Sequence, residues 1–415
     1  MKRAITFLLA LALLLTLAAC GAVREKAGGN DREIDTTRSF FQGLTLIQAA
    51  ETEDTIYFIS KYSDVIRYVD KATGVGGPLC GRPDCLHNDK SCNAYAGGSS
   101  YPKGLFIYDS RLYWINNQAG SGFVVYSAAL DGTDHREEAV LGRDLTPNSN
   151  SNLSTALFDG YVLIACERSL IEDGEDVRYN YLCAIPLESE EEPFVILQEK
   201  TEYNYTVAMQ LYDGGLYIIT DDVCGSYEDF VKLDQSDRRY DFKIRRWDMK
   251  NRELETVYEE EESTIYDPAQ LWVTDDYILF TNVSMEMDER QIYKYDFETG
   301  ACGYLFSSGL ASTWGVIGIT DGIVSGYPAI LNGEDNEMHV VIRDFDGNVL
   351  TDEVYELDLG DGFGGGNFGQ LDLLGRDEDH IYYSIYTPEI RYTAIVSVAL
   401  DGSGARVMCT ETEDN

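Results

Sequence analysis

Between Pro78 and Tyr95 the sequence reads PLCGRPDCLHNDKSCNAY, which sets Cys80, Cys85, His87 and Cys92 within thirteen positions of a chain that has nine cysteines and four histidines. Three thiolates and one imidazole are the donor set of a tetrahedral zinc site. A Cys3His set is a closed, structural type, because it leaves no coordination position for a reacting water. The Cys-x4-Cys-x-His-x4-Cys spacing departs from the usual Cys-x2-Cys knuckle. Gly81, Pro83 and Asp84 make a turn that can fold Cys80 back towards Cys85. The single residue between Cys85 and His87 requires a bent backbone, since alternate residues of an extended chain face opposite ways.

Two other readings stand beside the metal. Export into an oxidising compartment would let two of the three cysteines join as a disulfide, at the cost of a leftover thiol and a histidine with no role. The run could also be a loop with no chemistry. Cys166, Cys183, Cys224, Cys302 and Cys409 are scattered singly and read as small apolar residues. Of these only Cys166 and Cys183 fall where neighbouring strands would permit a cross-strand bridge.

The remaining motifs carry less. Asp344-Phe345-Asp346-Gly347-Asn348 resembles the start of a calcium loop but has no Glu at the twelfth position and reads as a hairpin turn. Glu172-Asp173-Gly174-Glu175-Asp176 reads as a solvated charge run. The glycines of 360–369 lack the Lys-Ser/Thr and the helix of a phosphate loop. His135, His339 and His380 sit at positions that turns and strands explain. Neither Gly-x-Ser-x-Gly nor His-Glu-x-x-His occurs, so no catalytic residue is assigned, while carboxylate pairs for glycoside hydrolysis stay open among 72 acidic residues.

The elements that must position these residues recur. An Asp/Gly turn, a Tyr/Val/Ile/Phe strand, a variable loop, a second strand and another Asp/Gly turn return roughly every fifty residues. First turns carry Asp54, Asp109, Asp159, Asp213, Asp275, Asp321 and Asp379, and second turns read YVDKATG, AALDGTD, RWDMKNR, YDFETGA, RDFDGNV and VALDGSG. Short strands bounded by such turns, in units of four, predict an all-β β-propeller of seven blades, with six or eight as alternatives. One domain then spans 41–415, with the Cys/His insertion at 78–95. The tight turns belong on one face. The long segments 167–180, 221–241, 282–290 and 325–337 belong on the other, together with Cys80 to Cys92, which follow the last strand of the first repeat.

The chain opens with Lys2 and Arg3, an apolar run to Ala19 and Leu17-Ala18-Ala19-Cys20. This is an export signal over 1–19 ending in a sequence that resembles a bacterial lipobox. The resemblance implies a lipid on Cys20, and the polar stretch of 20–40 reads as a flexible tether. The run is shorter than the ~20 apolar residues of a spanning helix, so the expected place is the extracytoplasmic face of the cell membrane, anchored rather than threaded. Removing Lys2 and Arg3 makes the formal net charge of -40 two units more negative. That excludes nucleic acid as a partner, because its binding depends on Lys and Arg contacts.

The anchor, the Cys-Pro-Cys-His-Cys run and the loose repeat together resemble exported, propeller-type lipoproteins of Gram-positive anaerobes, a family of unknown function. The expected role is a ligand- or protein-binding module for an unknown extracellular ligand or envelope protein, with a structural zinc on Cys80, Cys85, His87 and Cys92. Its rival is a glycan-active hydrolase or lyase using the central pocket of the propeller.

Overall fold

The computed structural model describes residues 47–412 except 61–63, 88–89, 98–102, 119–121, 142–154, 159, 188–190, 202–205, 267, 269, 285–288, 311–315, 320–322, 329–336, 360–369, 378 and 388–391. The signal at 1–19, Cys20, the tether of 20–40 and the glycine-rich 360–369 lie outside these residues. Among the described residues no helix is long and apolar enough to cross a membrane.

Strand follows strand in the pattern the turns announce, giving among the described residues seven four-stranded antiparallel sheets, each built from four strands consecutive in sequence. The fold is an all-β propeller with blades of four antiparallel strands. Turn chemistry sets the register. Asp109-Ser110 and Asp213-Gly214 both have positive φ at two successive residues, the two-residue turn whose twist matches that of flanking strands. At the second turns one aspartate side chain accepts from backbone N–H groups two to four residues on: Asp70 from Thr73, Asp131 from Thr133, Asp248 from Asn251, Asp296 from Thr299, Asp344 from Asp346 and Asn348, Asp401 from Ser403. Asp344 is thereby committed to a hairpin turn.

Sheets stack face to face, and their alternating apolar residues form the cores between them. Ile66, Leu105, Leu112 and Trp114 are all fully or almost fully buried between sheets one and two. Ile56, Phe58 and Val69 of sheet one meet Tyr382, Tyr386 and Ile395 of sheet seven. Each such side chain contributes roughly 1.5–3 kcal/mol through burial. The innermost strand of sheet one (Ile47–Glu51) lies beside the innermost strands of both sheet two (Lys103–Tyr108) and sheet seven (Gln370–Arg376). Among the described residues the ring therefore closes by packing, with no strand lent across the junction.

The outermost strands share a device. In sheets two to seven the ladder between the third and fourth strands slips at least once, for example between Val125/Tyr126, Leu182/Cys183 and Ile395/Val396, and twice in sheets four and five. Such bulges bend an exposed strand and hinder edge-to-edge pairing.

The segment 167–180, read from sequence as a loop, is an extension of a hairpin. Strands Tyr161–Glu172 and Glu175–Pro186 pair along their whole length through Asp173-Gly174, both with positive φ. The Asp-Gly pair at the centre of the charge run is the signal for it. Segment 221–241 is elaborated instead by a short helix, Tyr227–Phe230, whose Phe230 is buried against Val223 and Tyr240.

Candidate metal centre

The ligating atoms of Cys80, Cys85, His87 and Cys92 all lie within 4.8 Å of one another. Among the described residues this is the one group of three or more Cys, His, Asp or Glu so gathered. The backbone explains why. Strand Arg67–Asp70 pairs with Gly76–Pro78, and the Leu79 N–H continues the ladder to the Ile66 carbonyl at 2.9 Å. Continued pairing would set Cys80 opposite Val65, but Tyr95 stands there instead, and the Ile66 N–H donates to the Ala94 carbonyl at 2.7 Å. One residue, Ile66, thus holds both ends of the excursion.

This matches the placement read from sequence order: the cluster follows the fourth strand, Gly76–Pro78, and precedes the first strand of sheet two, Lys103–Tyr108. Before reaching that strand the chain returns to its own sheet, where Tyr95 forms an isolated bridge with Val65.

Inside the excursion each donor is aimed by a local contact. The Cys85 N–H donates to the Arg82 carbonyl at 3.2 Å, closing the Arg-Pro-Asp-Cys turn. His87 has φ +54°, a left-handed conformation that costs roughly 1–2 kcal/mol, and its Nδ1 lies 3.3 Å from Cys92 Sγ. The Ala94 N–H donates to Cys92 Sγ at 3.3 Å, and the Arg82 guanidinium donates to Cys85 Sγ at 3.2 Å and to the Ser91 carbonyl. Cys92 is buried, and the other three donors are partly buried.

Burial pushes the Cys80 thiol up, but the Arg82 backbone N–H, the Arg82 guanidinium, the Asn93 backbone N–H and the Cys85 thiol outweigh it and bring the group down to about 6. Burial pushes Cys92 up to about 11, with Cys85 and Cys80 adding to the rise and the Ala94 N–H opposing it. The contrast is that of thiols that cannot all be charged without a cation among them, and a bound metal would hold them all as thiolates. Four donors around a zinc ion stand about 3.3–3.8 Å apart. The cluster needs at most about an ångström of contraction to reach that geometry, so this Cys3His set can hold a metal ion such as zinc.

Sheet two completes the surroundings. Its turn residue Gly132, φ +78°, lies where a Cβ would collide with the Leu79 carbonyl oxygen. His135 Nε2 donates to the Asn93 carbonyl at 2.7 Å, its ring meets Trp114 edge-on at 5.5 Å, and Trp114 Nε1 donates to the Ala96 carbonyl at 2.8 Å. The sequence reading missed Arg82 and His135 as parts of this site. Arg82 had a signal, a cation inside a thiol cluster. His135 had none, because only the stacking of sheets brings it here.

Among the described residues the other cysteines, Cys166, Cys183, Cys224, Cys302 and Cys409, are free thiols. Cys166 and Cys183 are buried with their sulfurs 3.9 Å apart, and the neighbouring sulfur together with burial pushes Cys166 up. Burial pushes Cys302 to about 12 and Cys409 to about 11. His339 Nε2 pairs with Asp352 at 2.5 Å and His380 Nδ1 lies 3.5 Å from Asp377, both far from the Cys/His group in sequence and on other sheets.

No family model and no curated protein matches the sequence. The crystal structure of a puromycin hydrolase superposes with a TM-score of 0.53 at 12% identity, over 91% of this chain and 55% of its own. A structure from a study of two prolyl endopeptidases superposes with a TM-score of 0.50 at 12% identity, over 91% of this chain and 51% of its own. The chain spans about half the length of these structures. At such identity the likeness is one of fold.

Proposed function

We propose that this protein is a membrane-anchored, extracytoplasmic lipoprotein, lipidated at Cys20, whose seven-bladed propeller is a ligand- or protein-binding module. A structural zinc ion on Cys80, Cys85, His87 and Cys92 clamps the insertion in its first blade. The anchor rests on the sequence of the first twenty residues. The binding role rests on what the innermost strands offer: IQAAE, KGLFIY, TALF, TVAMQLY, LWV, VIGI and QLDLLGR are mainly apolar and small. A glycan-active hydrolase or lyase at the axis needs carboxylates converging from several of these strands. They carry Glu51 and Asp372, and Glu51 is held by Lys71 at 2.7 Å. The closed Cys3His set likewise suits structure rather than turnover.

Two measurements on the protein purified without oxygen or chelator test this reading. Near-stoichiometric zinc that is lost in Cys85→Ser, with every thiol reactive after denaturation, supports the clamp; two missing thiols and no metal would replace it with a disulfide. Screening glycan and peptide arrays for capture, and then for cleavage of whatever is captured, separates the two functional classes. Turnover of a captured glycan would overturn the binding reading.

A further inference from the structure

Arg82 differs from other cations of the chain in what it is paired with. The sequence has 72 acidic residues against 32 basic ones, and arginines elsewhere meet carboxylates, as Arg111 meets Asp134 and Arg252 meets Glu191. Among the described residues Arg82 meets none. Its Nη2 donates to Cys85 Sγ at 3.2 Å and to the Ser91 carbonyl, and its side chain also hydrogen-bonds the Cys80 thiol. A guanidinium keeps its proton in proteins. Its charge is therefore answered only when these sulfurs are thiolates.

The place of the side chain matters as much as its charge. Arg82 is exposed, whereas Cys80, Cys85 and His87 are partly buried and Cys92 is buried. The guanidinium thus lies on the solvent side of the donors. Its Nη2 also ties Cys85 to Ser91, the residue before Cys92, so one nitrogen links the two arms of the excursion. An arginine that only braced the loop would need the Ser91 carbonyl and neither sulfur.

Loading changes the charge balance of the set. A divalent ion with three thiolates and a neutral imidazole carries one net negative charge. One cation beside it brings the total to zero.

We propose that Arg82 is a positioning residue of the metal centre, which cancels the surplus charge of the loaded Cys3His set and shields the Cys85 sulfur from electrophiles on its solvent side. The inference rests on the zinc reading and adds to it what retains the ion.

Two measurements on the full chain test it: zinc affinity by competition with a chelating indicator, and alkylation of the loaded protein by iodoacetamide, mapped to each cysteine by mass spectrometry. In the second, sulfur displaces iodide to form a thioether, so the rate reports how open each sulfur is. Arg82→Met should weaken zinc binding about tenfold and make Cys85 the first ligand to be alkylated. Arg82 is exposed, so its loss does not threaten folding. Arg82→Lys keeps the charge and should restore most of the affinity, while Arg82→Gln keeps a donor without the charge and should not. The gap between the native chain and Arg82→Met should narrow in salt of about 1 M, where the screening length is ~3 Å. Equal affinity and alkylation in the native chain and Arg82→Met would overturn the proposal and leave the metal centre standing. Rescue by glutamine equal to that by lysine, or a gap that salt does not change, would overturn it too. Failure of the native chain to take zinc from the indicator would remove the metal centre, and this inference with it.

Discussion

The first sheet is closed at two places by opposite chemistry. On the side facing sheet seven, Lys71 reaches Glu51 at 2.7 Å and Asp377 at 3.9 Å, and its Nζ lies 4.9 Å from the centre of the Tyr382 ring. The Lys71 carbonyl accepts from the Arg406 guanidinium at 3.1 Å. On the side facing sheet two, Cys80, Cys85, His87 and Cys92 close the neck of the insertion, and the turn of sheet two holds it through Gly132 and His135. The seam uses hard charges that come ready made on the folded chain, with the Lys71 and Glu51 side chains 8% and 12% exposed. The neck uses soft donors gathered where an ion could join them. The first is complete with its own residues, while the second offers a donor set that an ion from solution would complete.

That difference can be broken most forcefully at the neck. Removing zinc with a chelator should lower stability by about 4 kcal/mol relative to protein in free zinc at roughly a thousand times the dissociation constant. Limited proteolysis should then cut within 80–92 and leave the rest of the chain whole, whereas cleavage spread over all sheets would mean that the ion supports the entire ring. At the seam, Lys71→Ala should cost about 3 kcal/mol in urea denaturation, because it strands the largely buried Glu51 carboxylate. Chelator and the Lys71 change should add, as expected for sites with no shared partner; a shortfall of more than about half a kcal/mol would tie the two closures together.

Acid sharpens the comparison further. Burial pushes Asp377 up, but the Tyr382 hydroxyl, the Asp379 and His380 backbone N–H groups and Lys71 outweigh it and leave the carboxyl below its usual range. Its folded value being the lower, it adds stability above the ordinary carboxylate range near ~4, and this is lost as pH falls through the folded value. Asp377→Asn should therefore flatten the decline in the urea midpoint between about pH 5 and pH 3. The smallest effect is expected of His135→Ala: full zinc content, with affinity reduced about tenfold through the loosened Asn93 carbonyl. An unchanged affinity would show that sheet two merely touches the insertion.

The strands were legible because Tyr, Val and Ile alternate between Asp/Gly turns, and the donor set was legible because four ligating residues crowd thirteen positions. Its place after the last strand of the first repeat was legible too, but the return of the chain to Val65 was not: nothing in the run from Leu79 to Tyr95 states that Tyr95 will take the position Cys80 vacates. The charge run at 172–176 was misjudged as a loop because its composition outweighed the Asp173-Gly174 signal within it. The seam was invisible for a different reason: Lys71 and Asp377 are separated by most of the chain, and only closure of the ring makes them neighbours.

The strict consecutive order of strands carries a consequence for how such a molecule can arise and change. Because among the described residues no sheet borrows a strand from another, a stretch of gene cut at the sheet boundaries encodes whole units, and its duplication or loss delivers or removes a complete layer. A ring sealed by an exchanged strand would be broken by the same event. Here only the side chains meeting at Lys71 would need to find new partners, so the junction between last and first is where the number of units can be revised by a few point changes.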